Sequence, residues 1–511
     1  MQKNTDTIVG INPATRQPLE GEYPITPEAE IDRIMHDAAE AFQVFRNTSG
    51  KDKAKLLRAI ADEILNLGDE LVMRAMGESG LPQGRIEGER GRTVGQLRLF
   101  ADLVEEGSWV EARIDTAIPD RSPAPKPDIR QMLVPVGPVV VFTASNFPLA
   151  FSTAGGDTAS ALAGGNPVVV KAHESHPGTH ALVSKAISKA IRTCGLPEGI
   201  YGSVYGGYAE GGALVRHRLT KSVAFTGSFR GGKALYDIAA AREEPIPVFA
   251  EMGSINPVIL LNGALEKRGE EIANTYAGSV TLGVGQFCTN PGLLVGVESP
   301  ALNQFIDTLA MAIADIAPAT MLSEKIYQGY EYNRAEMLKQ AGIELEGAAS
   351  EADGWVGCGT VTSVSGTTFL ENDHFQEEVF GPFTLVVRCQ SAEEMKAVIG
   401  KLHGQLTTTV MAEEDELGDH VSLLEELREK TGRLIFNGVP TGVEVCHSMH
   451  HGGPYPATTD SRFTSVGTLA IRRFVRPVAY QSWPDNLLPD ELKAANPLGI
   501  WRLVDGKMKQ L

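Results

Sequence analysis

Between Val139 and Glu251 the chain alternates short β-branched runs with amphipathic stretches of helix length, and this rhythm admits few folds. The runs Val139–Thr143, Val168–Lys171, Ser203–Tyr205, Val223–Phe225 and Val248–Glu251 read as strands. The stretches Ser152–Leu162, Thr179–Thr193 and Gly231–Ala241 read as helices, stopped by Gly164-Gly165, by Gly195 and ahead of Pro245. Repetition of this kind requires crossover connections and a parallel sheet. Ligands of such sheets bind beyond the carboxyl ends of the strands. The turns Ala144-Ser145-Asn146, Lys171-Ala172-His173 and Thr226-Gly227-Ser228 are therefore where chemistry is expected.

A second α/β pattern runs from Pro257 to about Asn437, with helical stretches at Leu265–Leu282 and around Glu414–Lys430. Asp128–Pro135 and Leu469–Tyr480 read as lone extended strands, which often complete a sheet elsewhere. With 511 residues, 42% of them hydrophobic, the chain can bury more than one core. Its 46 basic and 64 acidic residues give a net charge of −18, which repels nucleic acid and anionic membranes, and no basic patch offsets it. The apolar window Met132–Phe151 holds Pro135, Gly137, Pro138, Asn146 and Pro148, which suits buried strands and not a membrane span. Met1–Thr15 lacks the apolar stretch of a signal peptide, so the expected address is cytoplasmic. Five scattered cysteines without a C-x-x-C spacing argue against a disulfide framework and a structural zinc site.

Gly285-Gln286-Phe287-Cys288-Thr289-Asn290-Pro291-Gly292 places a thiol in a polar, glycine-flanked loop after a helical run. A free cysteine is more commonly buried and inert, and the polar loop brings a reactive role for this one level with that reading. Glu251 ends a strand ahead of a glycine turn, which suits either a base or a solvated strand end. Thr143 to Pro148 offers the strand-end amide of Asn146, Phe225 to Gly232 a glycine-rich turn into a helix, and Glu377 to Pro382 an acidic, aromatic loop.

In order and spacing these segments, with Val169-Val170-Lys171 and Gly195-Leu196-Pro197-Glu198-Gly199, resemble the aldehyde dehydrogenase superfamily from about residue 10 to about residue 480. The resemblance implies an α/β fold of three parts: a Rossmann-type dinucleotide domain (1–125 and 141–251), a second α/β catalytic domain (252–448), and a small β arm (126–140 and 469–490) that joins subunits into a dimer or tetramer. It implies that Cys288 attacks an aldehyde, that Asn146 and the Cys288 N–H hold the oxyanion, and that Glu251 is the base that hydrolyses the thioester. It also implies NAD or NADP as cofactor. Gly227, Ser228 and Gly232 would sit at the pyrophosphate, Lys171 at the adenosine ribose, and Glu378 with Phe380 at the nicotinamide ribose. Glu174, where the family often carries an acid for the 2′-hydroxyl, favours NAD, whereas His173, Ser175 and His176 crowd the same loop and would suit a phosphate.

Ser145 before Asn-Phe-Pro, Met252-Gly253-Ser254, Thr289-Asn290-Pro291-Gly292 and Pro440 to His447 depart from the common pattern. With Gly156 to Leu162 and His176-Pro177-Gly178-Thr179 they resemble the α-ketoglutaric semialdehyde (2,5-dioxopentanoate) dehydrogenase branch, and the related bacterial fatty aldehyde dehydrogenases share much of it. In those relatives a histidine near this region assists the nucleophile, which makes His447 and His451 candidates, with structural roles equally open. Gly452, Gly453 and Pro454 disfavour a helix that would align these histidines, so no metal site is expected. A semialdehyde bearing a carboxylate needs a cationic or multi-donor pocket end, a fatty chain an apolar one. Arg92 and Arg462 are open to the first role, but exposure to solvent is the better account of either, and neither is assigned. A third reading, a dinucleotide-binding protein without catalysis, is opposed by the joint presence of Cys288, Glu251 and Asn146.

Overall fold

The computed structural model describes residues 7–510. Its first sheet has five parallel strands, ordered Tyr201–Val204, Val168–Lys171, Val139–Phe142, Ser222–Thr226, Val248–Glu251. The order reverses beside Val139–Phe142, so the turns that follow it and Ser222–Thr226 flank the crevice where such sheets bind ligands. Alternation explains why these strands are apolar throughout. Val139 and Val141 pack into one core with Leu57, Phe100 and Ile187, while Val140 and Phe142 pack into another with Met35, Leu214 and Leu235. The amino-terminal helices Gly50–Asn66 and Gln83–Glu106 cover the first face, and Glu28–Phe45 covers the second.

The second sheet has seven strands between Val258 and Phe436, six parallel and one, Glu344–Ala348, antiparallel at an edge. It is also packed on both faces: Ile259 and Val295 point one way, Val258 and Leu294 the other. Among the described residues no helix is long and apolar enough to cross a membrane.

The third sheet differs from the sequence expectation. Its order is Val475–Gln481, Ile129–Pro135, Arg113–Asp115, Arg502–Val504, Lys507–Lys509. Residues 139–142, assigned to the arm as far as 140, belong to the first sheet, and Thr468–Phe474 is a 3-10 turn whose Ala470, Ile471 and Phe474 are buried in the core. Three-residue strands carry too little alternation to be read from sequence. The helical stretch around Glu414–Lys430 is likewise a 3-10 segment, Glu414–His420, followed by the helix Val421–Lys430.

Candidate active site

Cys288 follows the helix Asn262–Thr281 through three successive left-handed residues, Gly283, Val284 and Gly285 (φ 55°, 59° and 65°). For a β-branched residue such as Val284 this conformation is strained, by about 1–3 kcal/mol. Gly285 is obligatory on a second ground, because a Cβ there would lie 2.3 Å from the Gly381 carbonyl. The loop is pinned from beneath by Asn256, whose Nδ2 donates to the carbonyls of Cys288 and Asn290 at 2.9 Å each. Asn256 Oδ1 in turn accepts from Ser254 and Thr407.

Glu251 ends the edge strand of the first sheet, and residues 457–459 pair along that edge. Met252 N donates to Ala457 O, Glu251 bridges Thr458, and Thr459 exchanges hydrogen bonds with Ala250. This pairing brings two further side chains to the carboxylate. His451 Nε2 lies 2.9 Å from Glu251 Oε1 and 3.5 Å from Cys288 Sγ, and Ser465 Oγ donates to Glu251 Oε2. Gly453 lets the loop pass, since a Cβ there would lie 2.1 Å from Gln405 O. Asn146 reaches the same centre from the first sheet: its Nδ2 donates to Gln286 O at 3.0 Å, and Phe147 packs edge-on against Phe287 at 5.4 Å.

The electrostatics set acid and thiol apart. Burial pushes the Cys288 thiol well above its ordinary range, and the Glu251 carboxylate pushes it further, with Arg92 opposing. Burial also acts to raise Glu251, but His451 and hydrogen bonds from His451, Ser465 and Cys288 outweigh it and hold that carboxyl below its usual value. At rest the proton therefore sits on sulfur and the charge on Glu251.

His447 lies outside this group. It is exposed, and its Nδ1 is 3.3 Å from Thr468 Oγ1. Glu251, Cys288 and His451 are close enough for one ion to touch all three. Arg462 is paired with Asp460 on the surface.

Lys171 ends the strand Val168–Lys171 and Glu174 lies in the turn that follows it, beside the crevice. The Lys171 ammonium is largely buried, which lowers its pKa, and it has neither ion pair nor hydrogen bond among the described residues. Glu174 is exposed, with Oε1 3.6 Å from the space over Gly207. Glu378 extends over Gly253, where a Cβ would lie 2.5 Å from its Oε2, and burial raises its carboxyl to about 7. Phe380 and Glu378 line a small cavity with Gly285, Phe287 and Asn290. Lys171, at the carboxyl end of its strand, and Glu378, in the loop ahead of Phe383–Cys389, offer polar groups that fit the riboses of a dinucleotide.

The glycine turn departs from the expected phosphate role. Gly227 N donates to Glu251 O and Gly232 N to Ser228 O, both at 3.0 Å, so neither N–H is free for an anion. Both are packing glycines: a Cβ would lie 2.7 Å from the Phe225 ring at Gly227 and 2.6 Å from Met252 Sδ at Gly232. Ser228 caps the helix Phe229–Ala240, accepting from Gly231 N at 3.2 Å, which leaves its hydroxyl proton and the first-turn N–H groups of Phe229 and Arg230 facing the crevice. Sequence reading missed Asn256, Ser465 and the edge pairing at 457–459. None carries a local motif.

A model of the aldehyde dehydrogenase family matches residues 1–456. The relative "Alpha-ketoglutaric semialdehyde dehydrogenase 2" of Azospirillum brasilense is 48% identical over 505 residues, 98% of this chain and 96% of its own. An alpha-ketoglutaric semialdehyde dehydrogenase of Acinetobacter baylyi is 45% identical over 509 residues, 99% of this chain and 97% of its own. Among solved structures, a 1-pyrroline-5-carboxylate dehydrogenase from Thermus with bound NAD shares the fold, with a TM-score of 0.78 at 20% identity over 94% of this chain and 90% of that one. Since the family match runs through every strand of both large sheets, the chain belongs to the aldehyde dehydrogenase family, oxidoreductases that act on an aldehyde.

Proposed function

We propose that the protein oxidises 2,5-dioxopentanoate (α-ketoglutaric semialdehyde) to 2-oxoglutarate with NAD or NADP, using Cys288 as covalent nucleophile. The observation that carries the chemistry is the placement of one sulfur beside His451 and Glu251 in a loop tied to Asn146. The substrate is supported by the two relatives of that name at 48% and 45% identity over nearly the whole chain.

In this reading the Cys288 sulfur bonds to the aldehyde carbon while its proton passes to the Glu251 carboxylate, steadied by His451 and Ser465. The second N–H of the Asn146 amide and the Cys288 backbone N–H receive the resulting oxyanion, each such donor contributing roughly 3 kcal/mol. A bound dinucleotide supplies the hydride acceptor, and loss of hydride leaves a thioester on Cys288. Once Glu251 has passed the thiol proton to solvent, it takes a proton from water, the hydroxide adds to the thioester carbon, and the carbon–sulfur bond breaks to release the carboxylate and a thiolate that recovers a proton from Glu251.

NAD is favoured over NADP. Burial lowers the pKa of both His173 and His176, and His176 Nε2 is turned to the Ala144 carbonyl at 2.9 Å, so neither offers a cation to a 2′-phosphate. Glu174 adds repulsion at the loop. The open edge of the strand Val475–Gln481 supports assembly into a dimer or tetramer through the third sheet.

The test is formation of reduced nicotinamide from 2,5-dioxopentanoate, hexanal and decanal, each with NAD and NADP, by the parent and by Cys288→Ala. A higher kcat/KM for decanal would overturn the substrate, and full activity in Cys288→Ala would overturn the nucleophile.

A further inference from the structure

The helix Gln83–Glu106 turns Arg85, Glu89, Arg92 and Gln96 toward the active centre, at spacings that keep them on one face. Glu89 ties this face to the catalytic segment: its Oε1 accepts from the backbone N–H groups of Leu149 and Ala150 at 2.8 and 2.9 Å. The two arginines lie over the aromatic wall of the site. Arg85 is 4.2 Å from the Phe147 ring centre and 4.9 Å from that of Phe287. Arg92 is 5.1 Å from Phe151, whose ring stands 6.3 Å from that of His451.

The two cations differ in their partners. Arg85 has Glu89 Oε2 and the Asn146 carbonyl, each at 3.5 Å, and only its Nε is buried without a partner. Arg92 has no ion pair and no hydrogen bond among the described residues, and its Nε and Nη2 are shut off from solvent without a partner, as is Gln96 Nε2 one turn further on. Nε and Nη2 form one edge of the guanidinium, two parallel N–H bonds that match the two oxygens of a carboxylate. Burying a cation without a directly paired counter-charge is costly, and aromatic faces return only part of that cost. The face therefore holds an excess positive charge, and the unpartnered edge of Arg92 is complementary to a carboxylate brought to it by a bound substrate.

We propose that Arg92 is a specificity-determining residue that binds the distal carboxylate of the substrate side-on through Nε and Nη2, selecting a semialdehyde acid over a plain alkanal. The assignment rests on the substrate reading above. Arg85, held by Glu89 and the phenyl rings, supports the wall and does not take the carboxylate.

The test is the ratio of kcat/KM for 2,5-dioxopentanoate to that for pentanal, a chain of equal length without the acid, in the parent, Arg92→Met and Arg92→Lys. Any influence of Arg92 on the Cys288 thiol is common to both substrates and cancels in the ratio. The expected result is a parent that prefers the acid, a fall of the ratio by about 100-fold in Arg92→Met, carried by KM, and an intermediate fall in Arg92→Lys, which keeps the charge but loses the fork. Competitive inhibition by glutarate weakens in parallel. A parent that prefers the acid, with a ratio unchanged in both variants, overturns the role of Arg92 and leaves the substrate reading standing. A parent that prefers pentanal overturns the substrate reading itself. Should Arg92→Met fail to fold, Arg92→Lys and the glutarate inhibition decide alone.

Discussion

His451 Nε2 lies 2.9 Å from Glu251 Oε1, although the two residues are 200 positions apart in the chain. Both side chains are almost wholly buried, so the contact acts in a medium of low polarisability, where hydrogen bonds and charge are felt most strongly. Ser465 completes the cradle from the opposite carboxylate oxygen. The cradle keeps an anion beside a thiol that burial keeps protonated.

That opposition has a sign that alkylation kinetics can read. Because the thiol is raised, inactivation by iodoacetamide is expected to be slow at neutral pH and to accelerate as pH climbs through a value above that of a free cysteine. Glu251→Gln removes the repelling charge, so its alkylation at neutral pH becomes faster than the parent's. In the proposed mechanism the same substitution removes both the acceptor of the thiol proton and the base of thioester hydrolysis, so steady turnover drops by about 100-fold or more and reduced nicotinamide forms more slowly even in the first turnover. Slower alkylation in Glu251→Gln would contradict the electrostatic account.

Replacing His451 by Asn removes the strongest influences holding Glu251 low, and burial then carries its pKa upward. A base must be deprotonated to act, so the acid limb of the kcat profile is expected to move to higher pH. His447→Ala should leave that limb in place, since its ring is exposed and bonded to Thr468. A shift in the second variant and none in the first would reverse the roles of the two histidines.

Asn146→Ala deletes the proposed oxyanion donor and the hydrogen bond to Gln286 O. The expected loss is about 100-fold in kcat, with KM little changed, because the donor acts mainly on charge that develops in the reaction. A loss confined to KM would place Asn146 in ground-state binding instead.

For stability, the sharpest site lies away from the chemistry. Glu78 is fully buried, pairs with Arg74 at 2.7 Å, and accepts from Gly178 N, Thr179 N and Thr179 Oγ1 at 2.8 Å each, so it anchors the start of the helix Pro177–Thr193. Glu78→Ala leaves Arg74 without its ion pair, though still bonded to Glu20 O, and two backbone N–H groups without partners, and is expected to cost about 3–5 kcal/mol, read as a lower denaturant midpoint at an unchanged slope. A midpoint within experimental scatter of the parent's would remove the anchor role.

Much of this protein is written locally. The apolar runs at 139–142 and 168–170 specify buried parallel strands because period-two alternation sends every residue into one core or the other. Cys288, Glu251 and Asn146 were legible because each stands at a strand end or in a glycine loop, where backbone geometry marks the place. His451 and His447 were indistinguishable in sequence, since a loop without periodicity takes its course from what it packs against. Pairing of residues 457–459 with the strand Val248–Glu251, and the close passage at Gly453, decided which ring meets the thiol. The unpartnered edge of Arg92 and the five-stranded third sheet are likewise products of contact between distant segments, which no spacing along the chain encodes.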